Sequence, residues 1–451
     1  MHNRIQSRHI LIGIIIVAVI LRVATAVYLG NQVVELPGTF DQISYHQLAL
    51  RVLGGHGFSF GELWWPVTPA NEPTAHWSFL YTLYLTAVYA LAGPNPLVAR
   101  LIQAVVVGIL MPLLVYRVAI LLFNPNSKAS QVSDFQKGEW IGLTAAGITA
   151  VYIYFIYYAA TLMTESFYII CILWSIAIAM QIRQTGNRSR AQWLLFGIAL
   201  GLTILLRQVF LLIVPFIFLW LWYAARPKLY SFLVPVGVIL IMILPWTIRN
   251  QIVFDHFVIL NTNSGYAFFW GNHPIYGTKF ISILPEEMGT YASLIPPELL
   301  HLNEAQLDSA LLEIAIDNIK ADPMRYFWLS LSRIPPYFEF WPSTDSGLIS
   351  NISRVGSFGL FLPFMLIGLV RTLLYKFPSL KSRLASPFML VYLFLLVYTG
   401  IHVLTWTLIR YRLPLDAFLV IFAGLTFVKL GEWLYGRQQR QIVVSSHKSV
   451  S

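Results

Sequence analysis

Apolar runs long enough to cross a membrane recur along the whole of this sequence, and they constrain its fold more than any other feature. The hydrocarbon core of a bilayer is about 30 Å thick, so a helix needs roughly 20 apolar residues to cross it. Backbone polar groups in lipid must be hydrogen-bonded within their own segment, which favours helices. We therefore predict an all-α multi-pass membrane protein. The ten candidate spans are residues 10–30, 98–123, 141–158, 160–182, 193–207, 208–225, 229–246, 355–376, 385–409 and 413–434.

The composition of the 451 residues agrees with this prediction. Charged residues make up 11% of the chain, whereas they make up about 25% of a typical soluble domain. The chain has a single cysteine, Cys171, which lies inside an apolar run. One cysteine cannot form an intramolecular disulfide, and it makes a cysteine-based metal site implausible. The net charge is +10, but the cations are scattered over short loops, so we expect no nucleic-acid partner.

The first apolar run has two interpretations. Ala24, Thr25 and Ala26 resemble the small-residue site at which a signal peptide is cleaved. However, a run of about twenty residues is long for the apolar part of a signal peptide and suits a retained anchor. We expect the anchor.

The distribution of basic residues predicts the topology. The segment 77–92 is short and rich in Tyr and Trp, residues that favour the membrane interface, so we do not count it as a span. With the N-terminus inside, every inner loop is then basic, as the positive-inside rule requires. We expect the cell (inner) membrane and both termini in the cytoplasm. The inner basic residues are Arg4, Arg8, Lys128, Lys137, Arg183, Arg188, Arg190, Arg226, Lys228, Arg371, Lys376, Lys381, Arg383, Arg437, Arg440 and Lys448.

Two long segments then lie on the outer side and define the domain organisation. Residues 31–97 form an outer loop within a transmembrane module of residues 1–246, and residues 247–354 form a small soluble cap. In the cap, NEAQLDSALLEIAIDNIKADP predicts an amphipathic helix that ends before Pro323. Residues 355–434 would be the C-terminal transmembrane helices, and residues 435–451 a cytoplasmic tail.

Asp41 stands where the chain leaves its first span. Thr39 and Gln42 have the spacing of a capping box, with Thr39 as the N-cap. The helix would continue to Gly54 and Gly55, a natural stop. Asp41 would then lie in the first turn, where it could simply complement the helix dipole. Alternatively, it could act as a general base at the membrane surface.

Two further acids fall on the predicted outer side. Glu165 lies at a tight turn between two apolar spans, and acids at membrane boundaries are costly and therefore candidates for function. Alternatively, Thr164 or Glu165 could simply start the next helix. Glu72 lies in the first outer loop, where it could equally be an ordinary solvated acid.

Four arginines also fall on this side, against the positive-inside rule. Each lies next to an apolar wall, so it could snorkel, or it could bind the phosphate or pyrophosphate of a lipid, whose geometry the guanidinium matches. The four are Arg207, Arg249, Arg410 and Arg412, and polar candidates of lower weight in the cap are Asn250, His256, Asn272 and His273. The sequence has no zinc-ligand spacing and no glycine-rich nucleotide motif.

The ordered set of motifs resembles the GT-C-fold glycosyltransferases that use lipid-linked sugars, of the protein O-mannosyltransferase and aminoarabinose-transferase type, glycosyltransferase family 39. The motifs span about residues 10–415. PWTIRN followed by GNHP is the most specific part of the set. The motifs are Asp41 with Tyr45 and LRVLGGHGFSF, NEP, GPNPLVARLIQAVVVG, MTESFY, GIALGLTILLRQ, PWTIRNQIVFDHFVILNTNSGYAFFWGNHP and RYRLP.

The resemblance implies a GT-C helical bundle, interfacial helices in the first outer loop and a mixed extracytoplasmic cap. It implies a polyprenyl-phosphate sugar donor, with Asp41 as the base in an inverting transfer to a protein, lipid or glycan acceptor. Glu72 and Glu165 match the acids of the next two outer motifs, and Tyr45 with the outer arginines and the polar residues of the cap would bind substrate. Some relatives have Asp-Glu where this chain has Asp41-Gln42. That departure leaves metal use and the acceptor type open, and we expect no metal.

Three other functions remain possible from the sequence. A transporter or flippase would have paired broken helices at the midplane and internal repeats, and neither is evident. A scaffold whose cap binds a partner would leave the outer acids and arginines unexplained as a set. A ligase for lipid-linked oligosaccharides would differ only in its donor, which the sequence does not distinguish.

Overall fold

The computed structural model describes residues 2–36, 39–123, 138–186, 189–344 and 346–448. The predicted inner-loop residues Lys128, Lys137 and Arg188 lie outside these ranges. The described chain is helical, with 3₁₀ turns and isolated bridges between the helices.

The predicted membrane spans are helices. Within the described residues, eight helices or joined helices are long and apolar enough to cross a bilayer. The chain is therefore an all-α multi-pass membrane protein. These eight are Gln6–Leu29, Pro96–Phe123, Glu165–Thr185, Gln208–Ala225, Leu229–Phe254, Leu348–Leu373, Pro387–Leu404 and Ile409–Arg437.

The two remaining predicted spans are also helical, although each is irregular. Residues 141–158 correspond to two helices, Gly138–Val151 and Ile153–Ala160, which meet at an angle of 56°. Residues 193–207 correspond to the helix Arg190–Leu206, which is 17 residues long. In chain order the helices are α1 (His2–Leu29), α2 (Asp41–Leu53), α3 (Phe79–Ala92), α4 (Pro96–Phe123), α5 (Gly138–Val151), α6 (Ile153–Ala160), α7 (Glu165–Thr185), α8 (Arg190–Leu206), α9 (Val214–Ala225), α10 (Leu233–Phe254), α11 (Ser264–Asn272), α12 (Glu304–Ala321), α13 (Pro323–Ser332), α14 (Ile334–Tyr337), α15 (Leu348–Arg354), α16 (Leu360–Leu373), α17 (Leu380–Leu384), α18 (Pro387–Leu404) and α19 (Leu413–Lys448).

A buried arginine bonds the end of α5 next to the bend between α5 and α6. Arg22 lies in α1 and is fully buried. Its guanidinium donates to the carbonyls of Thr149 at 3.0 Å and of Ala150 at 3.2 Å, in the last turn of α5. The last carbonyls of a helix have no partner within the helix, and a cation there also complements the helix dipole. Arg22 therefore stabilises the end of α5 inside the bundle.

The first outer segment contains the two expected helices, but the predicted capping box is wrong. The N-cap of α2 is Phe40, and the hydroxyl of Thr39 accepts from the backbone N–H of Asp41 at 3.1 Å. The side chain of Gln42 instead donates to the carbonyl of Val34. The helix ends at Leu53, before the glycine pair, as predicted. Asp41 is therefore the first residue of α2.

The helix predicted in the cap is confirmed. It is α12, which ends at Ala321, two residues before Pro323. Asn303 caps it by accepting from the backbone N–H groups of Ala305 and Gln306, and Gln306 reciprocates, so this capping box is real. Around α12 and α11 lies a small apolar core of the cap, separate from the large core among the spans.

Glu304, in the first turn of α12, joins the cap to the first outer segment. Its carboxylate accepts from the hydroxyl of Thr68 at 2.9 Å and from the backbone N–H of Ala75 at 2.8 Å, and from the hydroxyl of Thr262. The two segments predicted to lie outside therefore meet at one end of the bundle. At the opposite end Ser7, near the start of α1, donates to Glu139, near the start of α5, at 3.1 Å.

Candidate functional site

Four charged side chains, which we call the ion cluster, meet at the end of the bundle that carries the cap. Arg410 uses one guanidinium nitrogen, Nη1, to donate to Oδ2 of Asp41 and to approach Oε1 of Glu165 at 3.4 Å. Arg207 donates to the same Oε1 of Glu165. Two cations and two carboxylates thus balance within the cluster. The predicted residues Asp41, Glu165, Arg207 and Arg410 come from four separate segments of the chain.

The ion cluster is largely removed from solvent. The side chain of Glu165 is 3% exposed, that of Arg410 10%, and those of Asp41 and Arg207 18%. Charges in such a place must be paired, because the desolvation of an unpaired ion costs several kcal/mol. The second carboxylate oxygen of Glu165, Oε2, is buried and has no hydrogen-bond partner in the described part of the chain.

A buried glutamine holds the turn that leads into Glu165. The Nε2 of Gln103, in α4, donates to the carbonyls of Thr161 at 2.7 Å and Ala159 at 3.1 Å. Its Oε1 accepts from the hydroxyl of Tyr81 at 2.8 Å. The helix α7 then starts at Glu165, without a side-chain cap. This agrees with the prediction that Thr164 or Glu165 starts the next helix. Glu165 is thus both a helix start and a member of the ion cluster.

Arg100 holds the segment that leads into Asp41 and α2. Its guanidinium donates to the carbonyls of Gly30 and of Gln32, the latter at 2.8 Å, beyond the end of α1. It also donates to Oε1 of Gln42 at 3.3 Å. Gln42, the residue that follows Asp41, is therefore used to hold the start of α2 in place.

Aromatic rings surround the two arginines. The guanidinium carbon of Arg207 lies 5.3 Å from the ring centre of Tyr411 and 5.7 Å from that of Tyr168. The guanidinium carbon of Arg410 lies 5.2 Å from the ring of Tyr411. Such cation–π contacts strengthen in desolvated sites. Nε of Arg207 also donates to the hydroxyl of Thr164 at 3.0 Å, which fixes the direction of its guanidinium.

Asp41 is held ionised by its neighbours. Burial by itself raises the pKa of this carboxyl, but the charge of Arg410 and the hydrogen bond with Thr39 outweigh it, so the pKa is lowered. A carboxylate with a lowered pKa is a weak base. While it is paired with Arg410, Asp41 is therefore a weak base.

Tyr45, one turn after Asp41 in α2, lines the same region. Its side chain is buried, and its ring packs edge-on against Trp77, at 5.7 Å between centres, and Tyr81, at 4.9 Å. Its hydroxyl accepts from the backbone N–H of Ser78 at 3.4 Å. The hydroxyl is thus already used to join α2 to the start of α3.

Two predicted residues of the outer side lie apart from the ion cluster. Glu72 is exposed, and its carboxylate makes no hydrogen bond or ion pair within the described ranges. Arg249 donates to the carbonyl of Thr74 at 3.1 Å and to Oδ1 of Asn250 at 3.0 Å, and it lies over the ring of Phe58. Arg249 therefore fastens the first outer segment to α10.

Arg412 faces the interior of the bundle rather than the ion cluster. It is fully buried, and its Nε donates to Oδ1 of Asp416 at 3.1 Å. Its Nη1 donates to the carbonyl of Tyr337 at 3.0 Å, and Asp416 also accepts from the hydroxyl of Tyr152 at 2.8 Å. Every contact of Arg412 is internal, although Arg410 lies two residues away.

The polar candidates of the cap shape its backbone. Asn250 donates to the carbonyl of Leu260 at 2.8 Å, and Asn272 accepts from Arg333 at 2.9 Å. Nδ1 of His273 accepts from the backbone N–H of Ile275 at 3.2 Å. None of these contacts reaches the ion cluster. The fourth polar candidate, His256, forms a hydrogen bond with the hydroxyl of Ser309 at 2.9 Å.

The ion cluster does not resemble a metal site. In the part of the chain that the structure describes, no three His, Cys, Asp or Glu side chains are grouped so that they could hold a metal ion. Asp41 and Glu165 contact the same nitrogen of Arg410, so a cation bridging them would have to displace a guanidinium. Metal independence stays a prediction.

Comparison with known proteins identifies the fold. No protein-family model and no curated protein sequence matches this chain. The archaeal oligosaccharyltransferase AglB from Archaeoglobus fulgidus, in complex with an inhibitory peptide and a dolichol-phosphate, matches with a TM-score of 0.58 and 13% identity over 98% of this chain. The chain has the GT-C fold. The apo form of the Archaeoglobus fulgidus oligosaccharyltransferase matches with a TM-score of 0.57 and 14% identity over 96% of the chain.

The extent of this likeness limits what it shows. The chain spans about half the length of these oligosaccharyltransferases, 52% in both cases. ArnT from Cupriavidus metallidurans, bound to undecaprenyl phosphate, matches with a TM-score of 0.38 and 14% identity over 92% of this chain and 77% of that one, which is too low to carry an argument. Structural likeness at such low sequence identity establishes the GT-C fold alone. The activity therefore has to be argued from the ion cluster.

Proposed function

We propose that this chain is a membrane glycosyltransferase that moves a sugar from a polyprenyl-phosphate donor to an acceptor at the extracytoplasmic face of the cell membrane. The observation that carries the proposal is the ion cluster, in which Arg410 joins Asp41 and Glu165 at the cap end of a GT-C bundle. The dolichol-phosphate in the AglB complex supports a lipid phosphate as the kind of donor.

The arginines suit the donor phosphate. Guanidinium groups bind phosphate oxygens in a planar, two-point geometry. Arg207 and Arg410 are mostly buried yet lie at the end of the membrane bundle, where the head of a lipid has to be if its tail runs between the helices. A phosphodiester donor carries one negative charge and its leaving phosphate carries up to two, so the two cations stabilise the departing group more than the bound donor.

Donor binding would also activate the base. Arg410 pairs with Asp41 in the free protein, and this pairing keeps the pKa of Asp41 low. When the donor phosphate takes over Arg410, the pKa of Asp41 rises, because it loses its nearest cation. The carboxylate can then accept a proton from the acceptor hydroxyl, so a competent base forms only when the donor is present.

The transfer step follows from this arrangement. The acceptor oxygen gives its proton to the carboxylate of Asp41 and attacks the anomeric carbon of the sugar. The bond from that carbon to the phosphate oxygen breaks, and polyprenyl phosphate leaves with the electron pair, held by Arg410 and Arg207. The anomeric configuration inverts, because attack and departure occur on opposite faces. Glu165 keeps the two arginines in position, and its unpaired Oε2 is available to a sugar hydroxyl.

Native mass spectrometry of the purified protein with added polyprenyl phosphate tests the proposed donor. We expect the wild type to retain the lipid and Arg410→Ala to lose it. Lys320→Ala is the matched control, because Lys320 is a cation on the exposed surface of the cap. Retention of bulk phospholipid alone by the wild type, or equal retention by both variants, would refute the lipid-phosphate donor.

A further inference from the structure

The helix α13, in the cap, turns its apolar side chains outward. Met324, Phe327, Trp328 and Leu331 are 63%, 51%, 53% and 40% exposed. Their spacing of three and four residues places them on one face of the helix. A single exposed apolar side chain is ordinary, but four contiguous ones form a surface that needs a partner.

Two cations, Arg325 in α13 and Arg333 immediately after it, point toward the protein instead. Arg333 is fully buried and donates to the carbonyl of Gly271. Arg325 donates to the carbonyl of Asn272 at 3.1 Å. A helix that lies against water has the reverse arrangement, with charges outside and apolar residues inside. The polarity of α13 is that of a helix with a nonaqueous medium on its outer side.

The neighbouring helix α12 shows that this inversion is particular to α13. The exposed face of α12 carries Gln306, Glu313, Asp317 and Lys320, with Ile316 as a single apolar side chain among them, which is the pattern of a surface in water. Both helices belong to the same cap and are separated by one residue, Asp322. The outer surface of the cap therefore changes from polar to apolar between α12 and α13.

Contacts with a membrane span show the depth at which α13 lies. The hydroxyl of Tyr326 donates to the carbonyl of Leu404 at 3.1 Å, and Nη1 of Arg333 donates to the carbonyl of Val403 at 3.0 Å. Leu404 is the last residue of the span Pro387–Leu404. The helix α13 thus lies at the level where α18 leaves the bilayer, the region that Trp side chains prefer.

Exposed apolar side chains recur along the chain between α13 and the next span. Trp341 is 71% exposed, and Leu348, the first residue of the span Leu348–Leu373, is 76% exposed. This recurrence up to the start of a span favours lipid over a protein partner, because a span is surrounded by lipid along the rest of its length. We infer that α13 lies in the outer interfacial region of the bilayer, with its apolar face among the lipid chains. The sequence predicted a soluble cap. On this inference the cap instead rests on the membrane through α13.

Site-directed fluorescence in nanodiscs tests this inference without reference to catalysis. Cys171 is the single cysteine of the chain, so Cys171→Ser provides a cysteine-free background. An environment-sensitive fluorophore is attached to Trp328→Cys, on the apolar face, and to Lys320→Cys, on the polar face of α12, as the matched control. The nanodiscs contain phosphatidylcholine with a nitroxide either near the headgroup or near the end of the acyl chain.

We expect the label at position 328 to emit at shorter wavelength and to be quenched more by the shallow nitroxide than by the deep one. The label at position 320 should emit as in water and be quenched by neither lipid. A label at 328 that behaves like the one at 320 would overturn the inference. So would a blue-shifted label at 328 that no nitroxide lipid quenches, because a second copy or another protein would then cover the face. Phe327→Cys, on the same face, replaces Trp328→Cys if that variant does not fold.

Discussion

Arg410 contacts Asp41 and Glu165 through the same guanidinium nitrogen, so one cation joins two carboxylates that are 124 residues apart in the chain. In the proposed mechanism this relationship gives the protein two states. Without donor, Arg410 would hold Asp41 as a weak base, and with a bound phosphate it would release a stronger one. The proposal thus couples donor binding to base strength through a single side chain.

The coupling predicts two different pH dependences. A general base works only when ionised, so the rate falls as the pH drops through its pKa. In the free protein the pKa of Asp41 is lowered, so kcat/KM should persist to acidic pH. In the donor complex Arg410 is engaged by phosphate, so the acid limb of kcat should lie at higher pH than that of kcat/KM. Acid limbs at the same pH, measured by sugar transfer over a pH series, would show that Arg410 does not change partners.

Arg249→Ala should loosen the first outer segment and leave the affinity for polyprenyl phosphate near that of the wild type. Its guanidinium bonds the carbonyl of Thr74 and the side chain of Asn250, and the loss of a charged hydrogen bond costs about 1.5–3 kcal/mol. Thermal unfolding in nanodiscs should therefore shift down, while lipid retention per folded molecule stays the same. Loss of lipid binding with the thermal stability unchanged would show instead that Arg249 binds the phosphate, as the sequence predicts.

Arg22→Leu should lower the thermal stability, because the carbonyls of Thr149 and Ala150 lose their donor where water does not reach. An unsatisfied buried polar group costs about 1–3 kcal/mol. The control is Ile20→Leu, an apolar change at an exposed position of α1 that removes no donor. An unfolding temperature equal to or above that of the wild type would mean that desolvation of the Arg22 guanidinium outweighs its hydrogen bonds.

The spans and several single elements could be predicted from the sequence because they depend on local chemistry. Apolar runs longer than the bilayer requires must be helices, and the end of α12 before Pro323 and the end of α2 after Leu53 follow from the local effects of proline and glycine. Asp41 and Glu165 could be selected because each is an acid near the boundary of a predicted span, where the environment penalises an unpaired charge.

The direction of a side chain is the part that the sequence does not reveal. Arg410 and Arg412 are both basic residues at the predicted outer end of a span, yet Arg412 turns inward to Asp416. Arg249 has the same sequence context and serves as a fastener. Gln42 has the spacing of a capping box but is engaged by Arg100, which is distant in sequence. The role of Arg22 is not among the predictions, although a charge inside an apolar run is itself a signal.

The most direct test of the account is transfer of sugar from a polyprenyl-phosphate donor by protein in liposomes, wild type against Asp41→Asn. We predict that Asp41→Asn folds and retains the lipid but transfers about 10²- to 10⁴-fold more slowly, the usual contribution of a general base. Asp317→Asn, an exposed acid of the cap, should transfer at the wild-type rate. Near wild-type turnover by Asp41→Asn would contradict the account, because the base would then lie elsewhere.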